Sequence, residues 1–331
     1  MSHSPSFKSL FVLVIALLKG IILQALPHPY YQFQNWDGKT LQLCIRSIVQ
    51  SDDGMIWLGA EDGLYSFDGY HLQRRSMDFG YDTSVGRDWD MTSLGCLTCM
   101  VTDSDSLMIG CERGLISFNL RTYKFRQLPY AQGEHVRGVV RAAGHEWVAT
   151  QHALYRDGKK MHLELGELYS VGGDDTYLYI GTQEKVMRYD IRRERLDEML
   201  GGIWIATCFA ASPQGNVWVG TSQQVIEWDR AEEKELSRHP VPVAKSLCVD
   251  QRGNLLMGTD NGLFIAEKNR KVHHIRHDAR VGESLAGDAV WCLFRDRDDN
   301  IWIGTNSGIS MVASEHRLTT YTLPSITGES T

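Results

Sequence analysis

Three short segments carry residue types that take part in catalysis or metal binding, but each lacks a required neighbour. Residues 282–287 (GESLAG) have one residue too many for the nucleophile elbow of a hydrolase. His145-Glu146 lacks a second histidine one helical turn away, since His152 is too distant. Residues 296–300 (DRDDN) begin like a calcium loop, but the glycine and glutamate that complete one are missing. Hairpin turns explain all three segments, so the sequence predicts no catalytic residue, no metal site and no cofactor.

The seven cysteines favour packing over metal binding. Cys96 and Cys99 form one C-x-x-C pair, whereas a structural zinc site normally has four ligands. Four cysteines lie in apolar runs, where a free thiol behaves as a small apolar side chain: Cys99, Cys208, Cys248 and Cys292. Of these, Cys208 and Cys292 share one position of the repeat described below. A disulfide from Cys96 or Cys99 to Cys111 stays open as an alternative in an oxidising compartment, and the odd count leaves at least one thiol unpaired.

A short phrase recurs seven times along the chain and sets the expected architecture. Its clearest copies span residues 52–64, 213–225, 251–263 and 298–309. Weaker copies span residues 106–115, 145–154 and 176–186. The glycine of the phrase, or its substitute, is found at Gly59, Gly110, Ala149, Gly181, Gly220, Gly258 and Gly304. A spacing of 32 to 51 residues is typical of a repeat architecture.

Each copy predicts four short antiparallel strands. An apolar run such as 45–49 leads into a polar turn, a second apolar run such as 56–58 follows, and Gly63 begins a third run. A more polar fourth strand closes the unit, for example at 123–128. Four strands in about forty residues make one propeller blade. We therefore predict an all-β fold: a seven-bladed β-propeller of four-stranded antiparallel blades.

The predicted strands leave one outer strand too many. Residues 31–36 precede the first copy of the phrase, and residues 317–323 follow the seventh. The first of these segments can pair with blade seven and close the ring, which removes the exposed sheet edges. The second would then be surplus and free to begin another unit. We expect either that the chain is the front part of a longer protein or that closure uses only one of the two segments.

The phrase D-x-x-G-x-hydrophobic-W-hydrophobic-G-T-x-x-G-L resembles the two-component regulator propeller repeat. The resemblance covers about residues 31–323 and is specific in blades one, five, six and seven. Blades two to four depart from it at Met108, Ala149 and Tyr179, and residues 182–185 lack the second glycine. The resemblance implies the periplasmic sensor region of a hybrid two-component system of gut Bacteroidetes. In that family a pair of propellers precedes a smaller β domain, a membrane helix, a histidine kinase, a receiver and a DNA-binding domain.

The two ends of the chain have their own expected roles. Lys8 precedes an apolar run at 10–18, and the small residue Ala25 ends the segment. This order is typical of a secretory signal peptide cleaved after Ala25, although Lys19 interrupts the apolar run. A membrane anchor is the alternative, but the run is short of the ~20 residues that span a bilayer. We therefore expect three segments: a signal peptide at 1–25, the first propeller at 26–323, and a tail or linker to a following domain at 324–331.

Two sets of loops are expected on one face of the propeller, around a central mouth. The turns between strands two and three are polar in all seven copies and supply seven candidate ligand-binding residues: Glu61, Asp62, Arg113, His152, Asp260, Asn261 and Asn306. The long insertion at 76–95 adds Arg87 and Trp89, while Trp204 and Trp291 stand where inner strands begin. An aromatic face beside planar polar groups suits a sugar. The alternative is that exposed turns are polar by default and that the tryptophans pack between blades.

The resemblance implies a periplasmic sensor module that recognises an oligosaccharide or glycan fragment and relays the signal to downstream domains. Its expected partners are that ligand and a second propeller or a homodimer partner, and it meets the inner membrane only through a downstream segment. The net charge of −7 argues against a nucleic-acid partner. We expect the chain itself not to be an enzyme. Two alternatives stay open: a protein-docking scaffold, or a lyase-type propeller with a metal at the mouth, for which His152, His135 and Glu112 are the nearby candidates.

Overall fold

The structure, a computed structural model, describes residues 31, 33–36, 43–75, 94–212, 215–268, 271–281 and 284–314. These residues form 28 β-strands in seven four-stranded sheets. No helix in this part of the chain is long and apolar enough to span a bilayer. The predicted signal peptide, Arg87 and Trp89 of the long insertion, the surplus strand at 317–323 and the tail lie outside the described residues.

The sheets are the blades of the fold and are numbered here along the chain. The first strand, β1 (Phe33–Trp36), belongs to blade seven. Blade one contains β2 (Ile45–Gln50), β3 (Ile56–Ala60), β4 (Gly63–Phe67) and β5 (Leu72–Arg75). Blade two contains β6 (Leu97–Asp103), β7 (Ser106–Cys111), β8 (Gly114–Asn119) and β9 (Phe125–Gln127). Blade three contains β10 (Val136–Ala142), β11 (His145–Thr150), β12 (Leu154–Arg156) and β13 (Lys159–Lys160). Blade four contains β14 (Ser170–Gly173), β15 (Tyr177–Gly181), β16 (Lys185–Asp190) and β17 (Arg195–Gly201). Blade five contains β18 (Ala206–Ala211), β19 (Val217–Thr221), β20 (Gln224–Asp229) and β21 (Lys234–Pro240). Blade six contains β22 (Ala244–Val249), β23 (Leu255–Thr259), β24 (Gly262–Ala266) and β25 (Val272–Ile275). Blade seven contains β26 (Val290–Arg295), β27 (Ile301–Thr305) and β28 (Gly308–Val312) in addition to β1.

The seven blades close into a ring through their first strands. Each first strand contacts the first strands of the two neighbouring blades, and β26 of blade seven contacts β2 of blade one. Within blades one to six the four strands pair antiparallel in chain order. The predicted all-β, seven-bladed propeller is therefore confirmed.

Blade seven is completed by the N-terminal strand. β1 pairs antiparallel with β28, with Phe33 opposite Val312 and Asn35 opposite Ser310. The Ser310 hydroxyl donates to the Asn35 side-chain oxygen at 2.6 Å, and Asn35 Nδ2 donates to the Ser284 carbonyl at 2.6 Å. The predicted closure by residues 31–36 is confirmed, and it gives the last blade an outer strand like that of the other six blades.

The glycine of the repeated phrase lets neighbouring blades approach each other. A Cβ atom built on Gly304 of blade seven would lie 2.5 Å from the Cys292 Sγ and 2.8 Å from Ile45 Cγ2 of blade one. One built on Gly110 of blade two would lie 2.6 Å from Cγ1 of Val136 in blade three. These separations are shorter than any van der Waals contact, so a side chain would force the blades apart.

Blade three departs from this rule and compensates for it. Ala149 replaces the glycine, and its cross-strand partner on the inner strand is Gly138. In the other six blades the glycine faces a serine or cysteine at that inner position: Ser47, Cys99, Ser170, Cys208, Ser246 and Cys292. In blade three the glycine is on the inner strand instead of the second strand, so the combined side-chain volume of the pair stays low. Cys99 thus shares the register predicted for Cys208 and Cys292.

The seven cysteines are free thiols in the structure, so the bridges considered from Cys96 or Cys99 to Cys111 are not formed. Burial raises the pKa of the Cys99 thiol to about 11 and that of Cys292 to about 12. Both thiols are therefore protonated and unreactive near neutral pH.

Large side chains of the second strand fill the space between neighbouring blades. The same position holds, in blades one to seven, Trp57, Met108, Trp147, Tyr179, Trp218, Leu256 and Trp302. Trp57 packs edge-on against Phe118 of blade two at 5.3 Å between ring centroids. Trp302 packs against Phe67 of blade one at 5.8 Å, and its indole N–H donates to the Asp296 carboxylate at 2.8 Å. These two ring contacts join neighbouring blades, and the hydrogen bond to Asp296 fixes the orientation of the Trp302 ring within blade seven.

Blade six has only Leu256 at this position, and the N-terminal segment supplies the missing aromatic ring. Tyr31 is buried in the same cluster as Leu256. Its hydroxyl donates to the Asp250 carboxylate at 2.8 Å, in the turn that corresponds to the Asp296 turn of blade seven. Tyr31 therefore replaces both the packing and the hydrogen bond of the absent tryptophan.

Replacing Trp302 with alanine is expected to lower the free energy of unfolding by ~3–5 kcal/mol, because the change leaves a cavity between two blades and removes the indole hydrogen bond to Asp296. Chemical denaturation measures the loss. Trp204→Ala is the matched control: Trp204 is 66% exposed, so its removal should change stability by less than ~0.5 kcal/mol. Equal losses in the two variants would contradict the placement of Trp302.

Replacing Gly304 with alanine is expected to destabilise the protein by ~1–3 kcal/mol through overpacking. Adding Cys292→Gly recreates the Gly138–Ala149 arrangement of blade three and should recover part of that loss. A double-mutant cycle measures the coupling between the two positions. Strictly additive effects would show that the two side chains do not compete for the same space.

Candidate functional site

A ring of side chains lies at the end of the central channel where the inner strands begin, and we call it the mouth. In six blades the pairing register shifts at the second residue of the inner strand, which is the signature of a β-bulge. The residues at the shift are Arg46, Thr98, Arg137, Thr207, Lys245 and Trp291. In blade four Tyr169 has the corresponding place just before β14, and its N–H donates to the Gly181 carbonyl at 2.9 Å. Bulges redirect side chains out of the regular pleat, which aims these residues at the mouth.

Trp291 forms the centre of this arrangement. The Arg46 guanidinium of blade one and the Lys245 ammonium of blade six each lie 3.6 Å from the centroid of its ring. Each of the two blades next to blade seven thus supplies one cation that contacts the Trp291 ring, which is a favourable cation–π geometry. Trp291 is half-buried, and its indole nitrogen has no hydrogen-bond partner within the described chain.

Two carboxylates from the turns between strands two and three complete the group. Glu61 accepts hydrogen bonds from the Arg46 guanidinium, which holds the pKa of Glu61 below its usual range. Asp260 lies 3.0 Å from the Lys245 ammonium. The carboxylates are 43% and 53% exposed, whereas Lys245 is only 16% exposed. The cations therefore lie deeper in the mouth and the acids at its rim.

The second residue of each turn points elsewhere. Asp62 accepts a hydrogen bond from the Tyr65 hydroxyl at 2.7 Å, and its carbonyl accepts one from Arg74 of the outer strand β5 at 2.6 Å. The carbonyl of Asn261 lies 2.5 Å from His274 Nε2 of the outer strand β25. The Asp62 side chain thus bonds within its own blade, and the backbone of Asn261 contacts the outer strand of blade six.

The remaining candidates fall at separate places around the ring. Trp204 is 66% exposed, so it does not pack between blades, and its carbonyl faces Ser222 in the next turn of the mouth. Asn306 accepts a hydrogen bond from the Ala289 N–H at 3.2 Å, beside Trp291. Arg113 and His152 are exposed, and their side chains make no hydrogen bond or ion pair with any residue in the described ranges.

Sequence reasoning missed Arg46, Lys245 and Arg137. Arg137 lies 5.5 Å from the Tyr169 ring, and its Nε is buried without a hydrogen-bond partner among the described residues. The available signal was the position: each residue directly follows the first apolar residue of an inner strand. A polar residue there interrupts an otherwise apolar run in several copies of the repeat.

The groups that line the mouth are suited to ligand binding. Burial lowers the pKa of His135, which stands just before β10, and Arg137 lowers it further. Burial raises the pKa of Cys44, just before β2, to about 11. In the described part of the chain there is no group of three or more histidine, cysteine, aspartate or glutamate residues placed to hold a metal ion. Aromatic, cationic and carboxylate groups remain, which is a hydrogen-bonding and stacking surface.

Residues 284–307, which include the mouth residue Trp291, match the family model described as two component regulator propeller. The predicted resemblance is confirmed there. No curated protein matches the chain in sequence.

Solved structures share the fold over most of the chain. The extracellular domain of the putative hybrid two component system BT4673 from B. thetaiotaomicron is 24% identical, with a TM-score of 0.73 over 85% of this chain and 39% of that one. The corresponding domain of BT3049 from the same organism is 22% identical, with a TM-score of 0.69 over 85% and 42%. The chain thus spans less than half the length of these sensor structures.

Virginiamycin B lyase from Staphylococcus aureus also shares the fold. It is 11% identical, with a TM-score of 0.64 over 86% of this chain and 99% of the lyase. At these identities each likeness concerns the fold alone.

Replacing Arg46 with glutamine is expected to raise the pKa of Glu61 toward its ordinary value, because the guanidinium no longer stabilises the carboxylate. A carboxyl group with a lowered folded-state pKa stabilises the fold above its unfolded pKa and loses that contribution as the pH falls. The wild type should therefore lose more stability on acidification than Arg46→Gln. An NMR titration of Glu61 measures the shift. Lys245→Gln is the control, since Lys245 pairs with Asp260 and should leave Glu61 unchanged.

Proposed function

We propose that this chain is the ligand-sensing propeller of an exported two-component sensor, and that its mouth recognises an oligosaccharide or glycan fragment. The observation that carries this proposal is the stack of Arg46, Trp291 and Lys245, with Glu61 and Asp260 at its rim. The similarity to extracellular domains of putative hybrid two component systems supports the sensor role.

The chemistry of the mouth supports a polyhydroxylated ligand. Carboxylates accept hydrogen bonds from hydroxyl groups, and guanidinium and ammonium groups donate to them. The exposed ring of Trp204 offers an apolar face of the kind that packs on the C–H face of a sugar. Both types of surface lie on the same side of the propeller, because the turn at Ser222 joins Trp204 to the mouth.

The signal would pass by a shift between two arrangements of the propeller and its neighbours. A ligand acts only through a difference in its affinity for the two arrangements. The blades are locked by buried tryptophans, so the ring suits rigid-body movement better than internal deformation. A second propeller or a second copy of the chain would be the partner against which it moves, and a longer parent protein in the inner membrane would receive the signal from the periplasm.

Isothermal titration with maltotriose, xylotriose, mannotriose and arabinotriose tests the proposal on the purified protein. At least one of these sugars should bind to the wild type. Trp204→Ala should weaken that binding by about tenfold, the equivalent of losing one good contact, with little change in stability. Tyr70→Ala is the matched control, since Tyr70 is an aromatic residue with 86% exposure in the turn between β4 and β5, away from the mouth.

Two outcomes would argue against the proposal. Binding that is equally tight in wild type and Trp204→Ala, and also in Trp291→Leu, would remove the mouth as the site. A wild type that binds none of the four sugars would remove the ligand class.

A further inference from the structure

The space between blades two and three lacks the aromatic contact that joins blade one to two, three to four and seven to one. Met108 stands where Trp57, Trp147 and Trp302 stand in their blades. The aromatic side chain of the next blade, against which such a tryptophan packs, is also missing. Phe118 receives Trp57, whereas Asp157 has that place in blade three. Both halves of the aromatic contact are therefore absent here.

A cleft of about 480 Å³ lies where the aromatic pair is missing. This volume is within the range of small-molecule sites, roughly 300–1,000 Å³. The cleft is on the face opposite the mouth, since Arg141 and Glu146 flank the turn from β10 to β11 at the far end of those strands. It is formed by residues of blades two and three alone.

The walls of the cleft are polar at positions where the rest of the fold is apolar. Glu146 of β11 faces Asp157, which directly follows β12, at a place where the other blades have pairs of apolar or aromatic residues. Those pairs are Ile56 with Phe67, Leu107 with Phe118, Leu178 with Tyr189, Val217 with Trp228, Leu255 with Ala266, and Ile301 with Val312. The half-buried Glu146 and the exposed Asp157 thus break the local rule of the repeat, and such departures are expected at functional sites.

Neighbouring groups hold the acids in place. The Tyr130 hydroxyl donates to Glu146, and the Tyr130 ring lies over Gly158, where a Cβ atom would approach it to 3.2 Å. Asp157 lies 2.7 Å from Nδ1 of His145. Burial raises the pKa of Glu146.

The turn acid Asp103 also serves the cleft. Its counterpart in blade seven, Asp296, accepts the indole N–H of Trp302. Met108 has no such donor, and Asp103 instead pairs with Arg141 of blade three at 2.5 Å. The acid that bonds within its own blade at Asp296 here joins the two walls of the cleft.

Two groups on the blade-two wall remain available to a ligand. The Arg126 guanidinium lines the cleft and is exposed, and within the described ranges it makes no hydrogen bond or ion pair. The Ser117 hydroxyl, opposite Arg126 on β8, has no hydrogen-bond partner among these residues either. The cleft therefore offers unused donors on one wall and carboxylate acceptors on the other.

The charges nearly balance. Two guanidinium groups, of Arg126 and Arg141, face three carboxyl groups, of Asp103, Glu146 and Asp157. The slight acidic excess disfavours an anionic ligand, and the mixture of donors and acceptors matches hydroxyl groups, which both donate and accept. The apolar side chains of Met108 and Leu128 complete the lining.

We propose that this cleft is a second binding site, separate from the mouth, for a neutral polyhydroxylated ligand about the size of one sugar ring. Arg126 and Ser117 donate to its hydroxyl groups, and Glu146 and Asp157 accept from them. The site does not depend on the proposed function of the mouth.

The decisive variant is Met108→Trp, which restores the tryptophan of the repeat and fills the cleft. The probes are D-glucose, D-galactose, D-mannose, D-xylose and N-acetyl-D-glucosamine, with D-glucuronate as the anionic comparison, measured by ligand-observed NMR and titration calorimetry. At least one neutral sugar should bind to the wild type more tightly than D-glucuronate does. Met108→Trp should abolish this binding without lowering the melting temperature.

Arg126→Gln keeps the cleft open and should weaken the same sugar by about tenfold, the equivalent of one hydrogen bond to a charged group. Arg121→Gln is its matched control, because Arg121 is on the same blade but pairs with Asp105 at 2.7 Å away from the cleft. Trp204→Ala at the mouth should leave the binding unchanged, which separates the two sites.

The proposal is overturned if none of the five neutral sugars binds, or if their binding survives both Met108→Trp and Arg126→Gln. Loss of binding in Trp204→Ala with retention in Met108→Trp would assign the sugar to the mouth. Should Met108→Trp fail to fold, the comparison of Arg126→Gln with Arg121→Gln decides alone.

Discussion

Each inner strand lies against a glycine of the blade before it, and the rest of the propeller depends on that close approach. At Gly258 a Cβ atom would come within 2.7 Å of Val290 in the next blade, and at Gly304 within 2.8 Å of Ile45. Protein interiors are close-packed and transmit small displacements. A side chain at these positions would widen each step of the ring, and widened steps would keep the last blade from meeting the first. The exchange of glycine and alanine between Gly138 and Ala149 shows that the constraint applies to the strand pair rather than to one residue.

The same close approach creates the mouth. Because inner strands of neighbouring blades are in contact, a bulged residue on one strand reaches the bulged residues on both sides. Trp291 is contacted in this way by Arg46 and Lys245, which come from sequence positions about 245 and 46 residues away. The group rests on strands rather than on flexible loops, so its geometry is held by the frame of the fold. The cleft between blades two and three follows from the opposite situation, since there the residues that join the blades have been replaced.

The fold was predictable from the sequence because its signals are local and repeated. Turn residues, apolar runs and glycines recur at near-constant spacing, and the polar turns of 52–64 and 298–309 delimit their strands directly. The site was predictable in part. Glu61 and Asp260 pair with the cations that contact Trp291. Arg46 and Lys245 were not predicted, because a bulge changes the direction of one side chain without leaving a pattern in a single strand. Asp62 was placed on the mouth by sequence adjacency to Glu61, whereas its carboxylate bonds to Tyr65 of its own blade. In the sequence Glu146 stands out only as part of an incomplete zinc motif. A comparison of the paired strands in all blades shows that an acid replaces an apolar residue there.

The pairing of β1 with β28 has a consequence for how the protein is made. Phe33 and Val312 are partners across nearly the whole described chain. β1, the first of the described strands to be synthesised, therefore pairs with β28, the last of them. Until β28 is synthesised, blade seven lacks its outer edge, and Tyr31 lacks its place beside Leu256. Contacts of such long sequence separation form slowly. The ring therefore closes only after synthesis through residue 312, and a chain that ends earlier lacks the partner strand of β1.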